Sequence, residues 1–350
     1  MARRRKRIIN VGIIGLGRTG WKNHALRFEV IPDLYRVAAV CDRIPERMEE
    51  AKERFDCATY KTYNALLADK NVDLVVIALP NKPHANYSIK ALKAGKHVVC
   101  DKPMATSLKD ADRMLRAAKS AKGVFTIFQN RRYWPDAMKV KEIMDSGRLG
   151  RITMIKMCAH GFSRRWDWQT LRKHGGGSLN NTGPHYVDLA LQFLGNRYPT
   201  ELFVQMENTL SCGDAEDHVK LIMRAPNAPV VEVEVMSDVA YPRPLWLITG
   251  TEGGLSGSAT ELRWKWMITS RLKKREVDEA PTPDRSYNSE KLPMSKERVW
   301  TWPKNVVPAQ VLYYQDLHKA LMKGAPPPVN PVNIRRQIKL IEECHKRCRI

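Results

Sequence analysis

The chain has 350 residues, with 59 lysines and arginines against 37 aspartates and glutamates, a formal charge of +22. That length suggests two domains of roughly 150 residues each, long enough to bury cores without disulfides or metals. No stretch approaches the ~20 apolar residues of a membrane span, and the seven cysteines, odd in number and without zinc-type spacing, suit a reduced, cytoplasmic setting with no metal.

Arg3 to Arg7 is a run of five basic residues. It reads as a basic arm rather than an export signal, because the apolar run behind it already belongs to a strand and no small-residue cleavage site follows. Basic residues recur at 271–275 and 335–349 without forming one groove, so nucleic acid is not expected as a partner. An acidic or phosphorylated substrate makes better use of the charge.

The apolar run 8–14 feeds into Gly15-x-Gly17-x-x-Gly20. A strand that ends in such a turn and opens a helix is the pattern of a dinucleotide-binding unit. Gly15 takes the turn's backbone angles, Gly17 lets the main chain approach a pyrophosphate, and Gly20 lets helix and strand pack closely. The phosphates would lie at the helix N-terminus, beside Arg18 and Thr19. Residues 21–32 have helical spacing and stop at Pro32. A second buried strand, 36–42, ends in Asp42, 22 residues past Gly20, where a Rossmann unit places the acid for the adenosine ribose hydroxyls. Arg43 beside it is placed to accept a 2′-phosphate instead. The carboxylate would repel that phosphate, so NAD is expected, with NADP the alternative.

The alternation continues through an extended pair at 59–60, a helix at 63–68 and a strand at 72–79 that ends in Pro80-Asn81. A helix at 85–94 is broken by Gly95. A strand at 96–100 stops at Asp101-Lys102-Pro103, and an amphipathic helix at 108–122 precedes a strand at 124–128. Strands alternating with helices predict a doubly wound parallel sheet. From about residue 130 the grammar changes. A helix at 135–146 ends at Gly147, and strand-like segments then dominate at 152–159, 202–210, 218–224, 230–239, 245–249 and 263–269, with one helix near 184–194. Strands without intervening helices argue an antiparallel sheet. Residues 278–298 read as a surface loop, and helices at 310–323 and 333–348 close the chain. The expected fold is an α/β Rossmann domain followed by an α+β domain with a large, open-faced, mostly antiparallel sheet. Residues 1–128 form the first (with 1–7 the basic arm), 129–308 the second, and 309–350 pack back on the body.

Seven segments in order resemble the glucose–fructose oxidoreductase/inositol dehydrogenase (Gfo/Idh/MocA) family. They are the stretch from Gly12 to Gly20; Val40-Cys41-Asp42-Arg43; Ala78-Leu79-Pro80-Asn81 with His84; the stretch from Ala94 to Pro103; Gln129-Asn130-Arg131-Arg132; Gly147-Arg148-Leu149-Gly150; and Gly175-Gly176-Gly177 through His185 and Asp188. The resemblance implies a Rossmann domain, a sheet domain closing the active-site cleft, a nicotinamide cofactor, and dimers or tetramers packed through the open sheet. It also implies sugars, cyclitols or their derivatives as substrates. By the same motifs, Pro80, Asn81, His84, Asp101 and Gln129 join the glycine loop and Asp42 as cofactor-side residues, with Asp101 standing where the family has glutamate.

Oxidising a secondary alcohol needs a base for the hydroxyl proton. Lys102 lies at the carboxyl end of a parallel strand, where open α/β sheets place their ligands, and an amine partly desolvated beside other positive charge can serve as that base. The resemblance implies that this lysine is catalytic and that His185 bonds a substrate hydroxyl. Asn181 occupies the position of the family's usual active-site aspartate. Its amide can orient a hydroxyl but cannot exchange protons, which makes this a variant site. Asn181, His185 and Asp188 fall at i, i+4 and i+7, one face of a helix. Trp166, Asp167 and Trp168 form an aromatic and polar stretch suited to a sugar ring. Arg131, Asp188 and Tyr241 complete the substrate-side candidates. The leading reading is an NAD(P)-dependent dehydrogenase or reductase of a sugar or polyol. Redox-assisted glycoside cleavage and a non-catalytic cofactor-binding sensor are the alternatives.

Overall fold

Two sheets organise the chain. The computed structural model describes residues 7–282 and 284–348. Of the basic arm only Arg7 falls within that span, its guanidinium 2.6 Å from Asp73; Arg3 to Lys6, like Arg349, lie outside the described residues.

Strands β1 (Ile9–Ile14), β2 (Tyr35–Cys41), β3 (Ala58–Thr59), β4 (Leu74–Ile77), β5 (His97–Asp101) and β6 (Phe125–Phe128) form one sheet in the order β3-β2-β1-β4-β5-β6. Every pair is parallel. Helices α1 (Leu26–Phe28), α2 (Pro45–Phe55), α3 (Tyr63–Ala68), α4 (His84–Lys93) and α5 (Leu108–Ser120) alternate with these strands. Buried from both sides, β4 is the wholly apolar Leu-Val-Val-Ile. Thr62 and Ser107 cap α3 and α5 by accepting the N–H groups of Ala65 and Asp110. The helix expected over 21–32 is a π-helical stretch, Gly20–Ala25, running into α1. It stops at Phe28, since turn bonds from Val30 and Ile31 take over and Pro32 has no N–H to extend it.

The second sheet holds β7 (Ile152–His160), β8 (Glu201–Glu207), β9 (His218–Arg224), β10 (Val230–Met236), β11 (Trp246–Gly250), β12 (Gly253–Gly257), β13 (Glu261–Trp266) and β14 (Arg298–Thr301), in the order β14-β13-β12-β11-β7-β10-β9-β8. Only β7 and β10 pair in parallel. Helices α6 (Pro135–Asp145), α7 (Ser178–Asn181) and α8 (Gly183–Phe193) belong to this half, and their apolar side chains share a core with Val231, Val233 and Val235 of β10 and with Ile155 and Met157 of β7. The alternate residues face the opposite way and form a charged ladder. Lys156 meets Glu232 at 2.7 Å, and Lys220 bridges Glu232 and Glu234 at 2.7 and 2.8 Å.

The last helices, α9 (Ala309–Lys323) and α10 (Pro331–Arg347), return to both halves. Tyr313, Tyr314 and Leu317 of α9, with Ile334 and Ile338 of α10, sit in the core of the parallel sheet, while Leu340, Ile341 and Cys344 of α10 sit in that of the second. Among the described residues no helix is long and apolar enough to cross a membrane.

Candidate active site

Strand order in the parallel sheet reverses between β1 and β4, and open α/β sheets bind their ligands outside the strands' carboxyl ends at such a switch point. The residues expected on the cofactor side line this edge: the Gly15 loop after β1, Asp42 and the exposed Arg43 after β2, Pro80 and Asn81 after β4, Asp101 at the end of β5, and Gln129 after β6. Gly15 has φ +87°, a left-handed angle that favours glycine. A Cβ on Gly20 would stand 1.8 Å from the Gly15 carbonyl oxygen, whereas one on Gly17 would meet nothing within 4 Å. That open side of Gly17 is the space a pyrophosphate needs, flanked by Arg18 and by Thr19 at the helix N-cap. Asp42 accepts the Leu16 N–H at 2.5 Å and the Ile44 N–H at 2.9 Å, so the acid fixes the glycine loop itself. The residues fit a dinucleotide.

Three side chains on this edge cross to the opposite wall, residues 175–184, and each donates to one main-chain carbonyl there. Asn81 Nδ2 bonds Gly175 O at 2.7 Å, Lys102 Nζ bonds Asn181 O, and Gln129 Nε2 bonds Pro184 O at 2.7 Å. Lys102 is thus held across the cleft. Burial lowers its pKa to about 8; Asp101 opposes the shift, and the charges of Arg18 and Arg165 add to it.

The Pro184 carbonyl can only accept, so Gln129 turns its NH₂ toward that carbonyl and its Oε1 toward His185 Nδ1, at 2.9 Å. His185 therefore carries its proton on Nδ1 and leaves Nε2 as a free acceptor. Its pKa lies well below the ordinary histidine value, through burial first and then the charges of Lys102 and Arg131. The imidazole is neutral across the physiological range.

Asn181 ends α7, and Thr182 interrupts the helix before Pro184 opens α8. The single helical face expected for Asn181, His185 and Asp188 is therefore split by the break at Thr182. The Asn181 side chain donates to Gln169 O at 3.1 Å and faces Asn81 Nδ2 at 3.4 Å, which braces the wall. His84 is fully buried in α4, with Nδ1 2.7 Å from Pro103 O and Nε2 2.8 Å from Leu79 O. Both partners accept, so both ring nitrogens donate and neither is left for a cofactor. Asp101 turns inward, 3.7 Å from His24 Nε2, whose other nitrogen meets the Tyr314 hydroxyl at 2.6 Å.

Beside Asn181 a cavity of about 580 Å³ opens between α7 and the ends of β7, β10 and β11. Gln169 on its wall ends the aromatic and polar stretch read in the sequence as suited to a sugar, whereas no motif marks Thr182 or Arg243 as a substrate residue. These residues come from separate loops and carry no shared spacing. Several expected substrate residues lie elsewhere. Arg131 is buried in a bidentate pair with Asp136 at 2.6 and 2.5 Å, and Asp136 also accepts from Trp246. Asp188 pairs with Arg132 at 2.7 and 2.6 Å. Asp167 holds Arg165 and caps a short turn that begins at Trp168. Trp166 and Tyr241 stand 79% and 93% exposed on the rim loops. One group of metal-type side chains does come together. Donor atoms of Cys158, His160 and Glu234 lie within 4.8 Å of one another, but the Lys220 ammonium, 2.8 Å from Glu234, already neutralises that carboxylate.

Family models decide the lineage. An oxidoreductase family model with an NAD-binding Rossmann fold matches residues 9–129, and the Gfo/Idh/MocA C-terminal domain model matches residues 137–256. The chain belongs to the Gfo/Idh/MocA oxidoreductase family. Similar members include oxidoreductase C115.03 of Schizosaccharomyces pombe, 28% identical over 223 residues, which are 62% of this chain and 61% of that protein. The match thus spans less than two thirds of that relative's own length. Inositol 2-dehydrogenase of Salmonella typhimurium is 25% identical over 91% of this chain and 88% of its own. The crystal structure of an NAD-binding protein from Listeria innocua superposes with a TM-score of 0.79 at 26% identity, covering 97% of each chain. Within the Gfo/Idh/MocA frame the cofactor is NAD, carried by the parallel-sheet domain.

Proposed function

We propose that this protein is an NAD(P)-dependent dehydrogenase or reductase acting on a secondary hydroxyl or ketone of a sugar, cyclitol or sugar derivative, with Lys102 as general acid/base and His185 beside it. One observation carries the reading. A half-buried lysine with its pKa lowered to about 8 shares a cleft with an imidazole kept neutral and open at Nε2. The similarity to an inositol 2-dehydrogenase over nine tenths of the chain supports the substrate class.

The nicotinamide, when bound, supplies the hydride acceptor or donor. The glycine loop, Asp42, Arg43, Pro80, Asn81 and Gln129 would hold the dinucleotide, while Asp101, turned toward His24, supports the edge from within. As a free amine, Lys102 takes up a hydroxyl proton; as ammonium, it returns one to a ketone oxygen. The His185 Nε2 lone pair accepts from a substrate hydroxyl and orients it. Asn81, Lys102 and Gln129, each donating to the opposite wall, set the width of the cleft in which the alcohol lies. A homo-oligomer packed through the open face of the second sheet completes the proposal.

The test is a panel of polyols, sugars and nucleotide sugars, monitored at the NADH absorbance band with NAD and with NADP. Stoichiometric NADH from at least one compound supports the reading. NADH regenerated while a glycosidic bond is cleaved would instead mark redox-assisted glycoside cleavage, and silence on every compound would overturn both. Clear preference for NADP would reverse the roles given to Asp42 and Arg43.

A further inference from the structure

The cavity beside Asn181 has two carboxylates in its wall, Glu216 and Asp217. Asp217 is fully committed. Its oxygens accept the N–H groups of Thr209, Leu210 and Ser211 and the Thr209 hydroxyl, and so hold the loop after β8. Glu216 is 2% exposed, yet its carboxylate accepts one hydrogen bond from another described residue, the Leu179 N–H to Oε1 at 3.1 Å, beside its own N–H. Its Oε2 has no hydrogen-bond partner among the described residues, on a side chain that lines the cavity.

The chain makes room for this acid. Gly177 has φ +102°, and a Cβ there would stand 2.1 Å from Glu216 Oε1 and 2.3 Å from Oε2. Capping α7 occupies Oε1 alone, through the Leu179 N–H, because the Ser178 N–H is satisfied by the Glu216 main-chain oxygen at 2.7 Å. Burial raises the carboxyl pKa to about 7; its own N–H, the Leu179 N–H and the Arg172 charge oppose the rise, and Asp217 adds to it. Arg165, Arg243 and His160 also line the cavity, which disfavours a cation as occupant. An apolar occupant would leave a buried acid unpaired. Gln169, Thr182 and Ser237 on the walls add amide and hydroxyl groups to the lining. What fits is a ring bearing hydroxyls.

We propose that Glu216 contacts substrate: the cavity beside Asn181 takes the polyhydroxylated ring, and the unpaired Glu216 oxygen binds one of its hydroxyls. This rests on the reading of the protein as a sugar or polyol dehydrogenase. Asn181 links the two places, since its main-chain oxygen receives Lys102 while the residue also lines the cavity.

The experiment takes the best substrate of the panel, its monodeoxy analogues, and three proteins: wild type, Glu216→Gln and Glu216→Asp. Glu216→Gln is expected to lower kcat/KM for the sugar about ten- to a hundredfold, mainly through KM, with NAD affinity kept within about twofold. It should also remove an ionisation near pH 7 from the kcat/KM profile, which Glu216→Asp retains. On the one deoxy analogue that lacks the bonded hydroxyl, wild type and Glu216→Gln should perform alike, as expected when the two partners of one contact are removed in turn. A purely structural acid would lower kcat/KM equally for every analogue. That uniform fall, or an unchanged profile in Glu216→Gln, overturns the proposal while the dehydrogenase reading stands. A wild-type protein that turns over nothing overturns both.

Discussion

A half-buried lysine, desolvated beside Arg18 and Arg165, holds its proton less tightly than one on the surface, and the working pH of the site follows from that. Alcohol oxidation is expected to rise through about pH 8 as the Lys102 amine is freed, and ketone reduction to fall over the same range. Lys102→Ala should abolish that dependence and cut turnover at least about a hundredfold, with NAD affinity nearly intact; turnover equal to wild type would sink the assignment. His84 makes a second, independent prediction. Burial alone would lower its pKa, but the Cys100 side chain, the Pro103 carbonyl and Asp101 raise it to about 9. A histidine whose folded pKa exceeds its unfolded value contributes stability that is complete below about pH 6.5 and lost as pH rises through 9. The urea-unfolding free energy of wild type should therefore fall by about 2–3 kcal/mol more than that of His84→Leu between pH 6.5 and 9.5. Equal slopes would show that the ring is neutral. Lys102 and His185 were legible in the sequence because their motifs have fixed spacing. The task of His84 was not, because its partners are backbone carbonyls at Leu79 and Pro103 that only the folded chain brings to one ring.

The glycine loop separates two kinds of necessity. Gly20→Ala forces a Cβ against the Gly15 carbonyl, so thermal stability should fall by about 1–3 kcal/mol even without cofactor. Gly17→Ala meets no protein atom; its stability should match wild type while NAD affinity drops about tenfold or more, or 1.4 kcal/mol. Calorimetry and NAD titration of the two variants check both halves, and equal NAD affinity in Gly17→Ala would move the pyrophosphate elsewhere. Elements of the first sheet could be read almost end to end, since each parallel strand is an apolar run stopped by a turn residue. β12 could not. Its Gly-Gly-Leu-Ser-Gly has little strand preference, and its place is imposed by pairing with β11 and β13 on either side. β14 likewise follows a long exposed loop and owes its conformation to its pairing with β13. The helix break at Thr182 escaped notice for a related reason. Periodicity marks residues that share a face, but it is blind to a wall pinned from across the cleft by Lys102 and Gln129.

At the scale of the molecule, the second sheet buries one face and leaves the other to its charged ladder, with Leu247 and Phe203 38% and 51% exposed. If that face joins copies of the chain, Leu247→Asp should convert an oligomer to monomer in sedimentation velocity while leaving the thermal melt of the protomer nearly unchanged. A monomeric wild type would dismiss the interface. The last helices carry a different consequence. Because α9 and α10 supply side chains to the core of the parallel sheet, and α10 to both cores, the NAD-binding half is completed by residues that follow the whole second sheet in the chain. Until those helices have been made, Phe128 and Tyr35 lack Tyr313 and Tyr314, the rings that pack against them. The parallel-sheet domain, though it precedes the second sheet in the chain, is therefore obliged to wait for α9 and α10 before it can close.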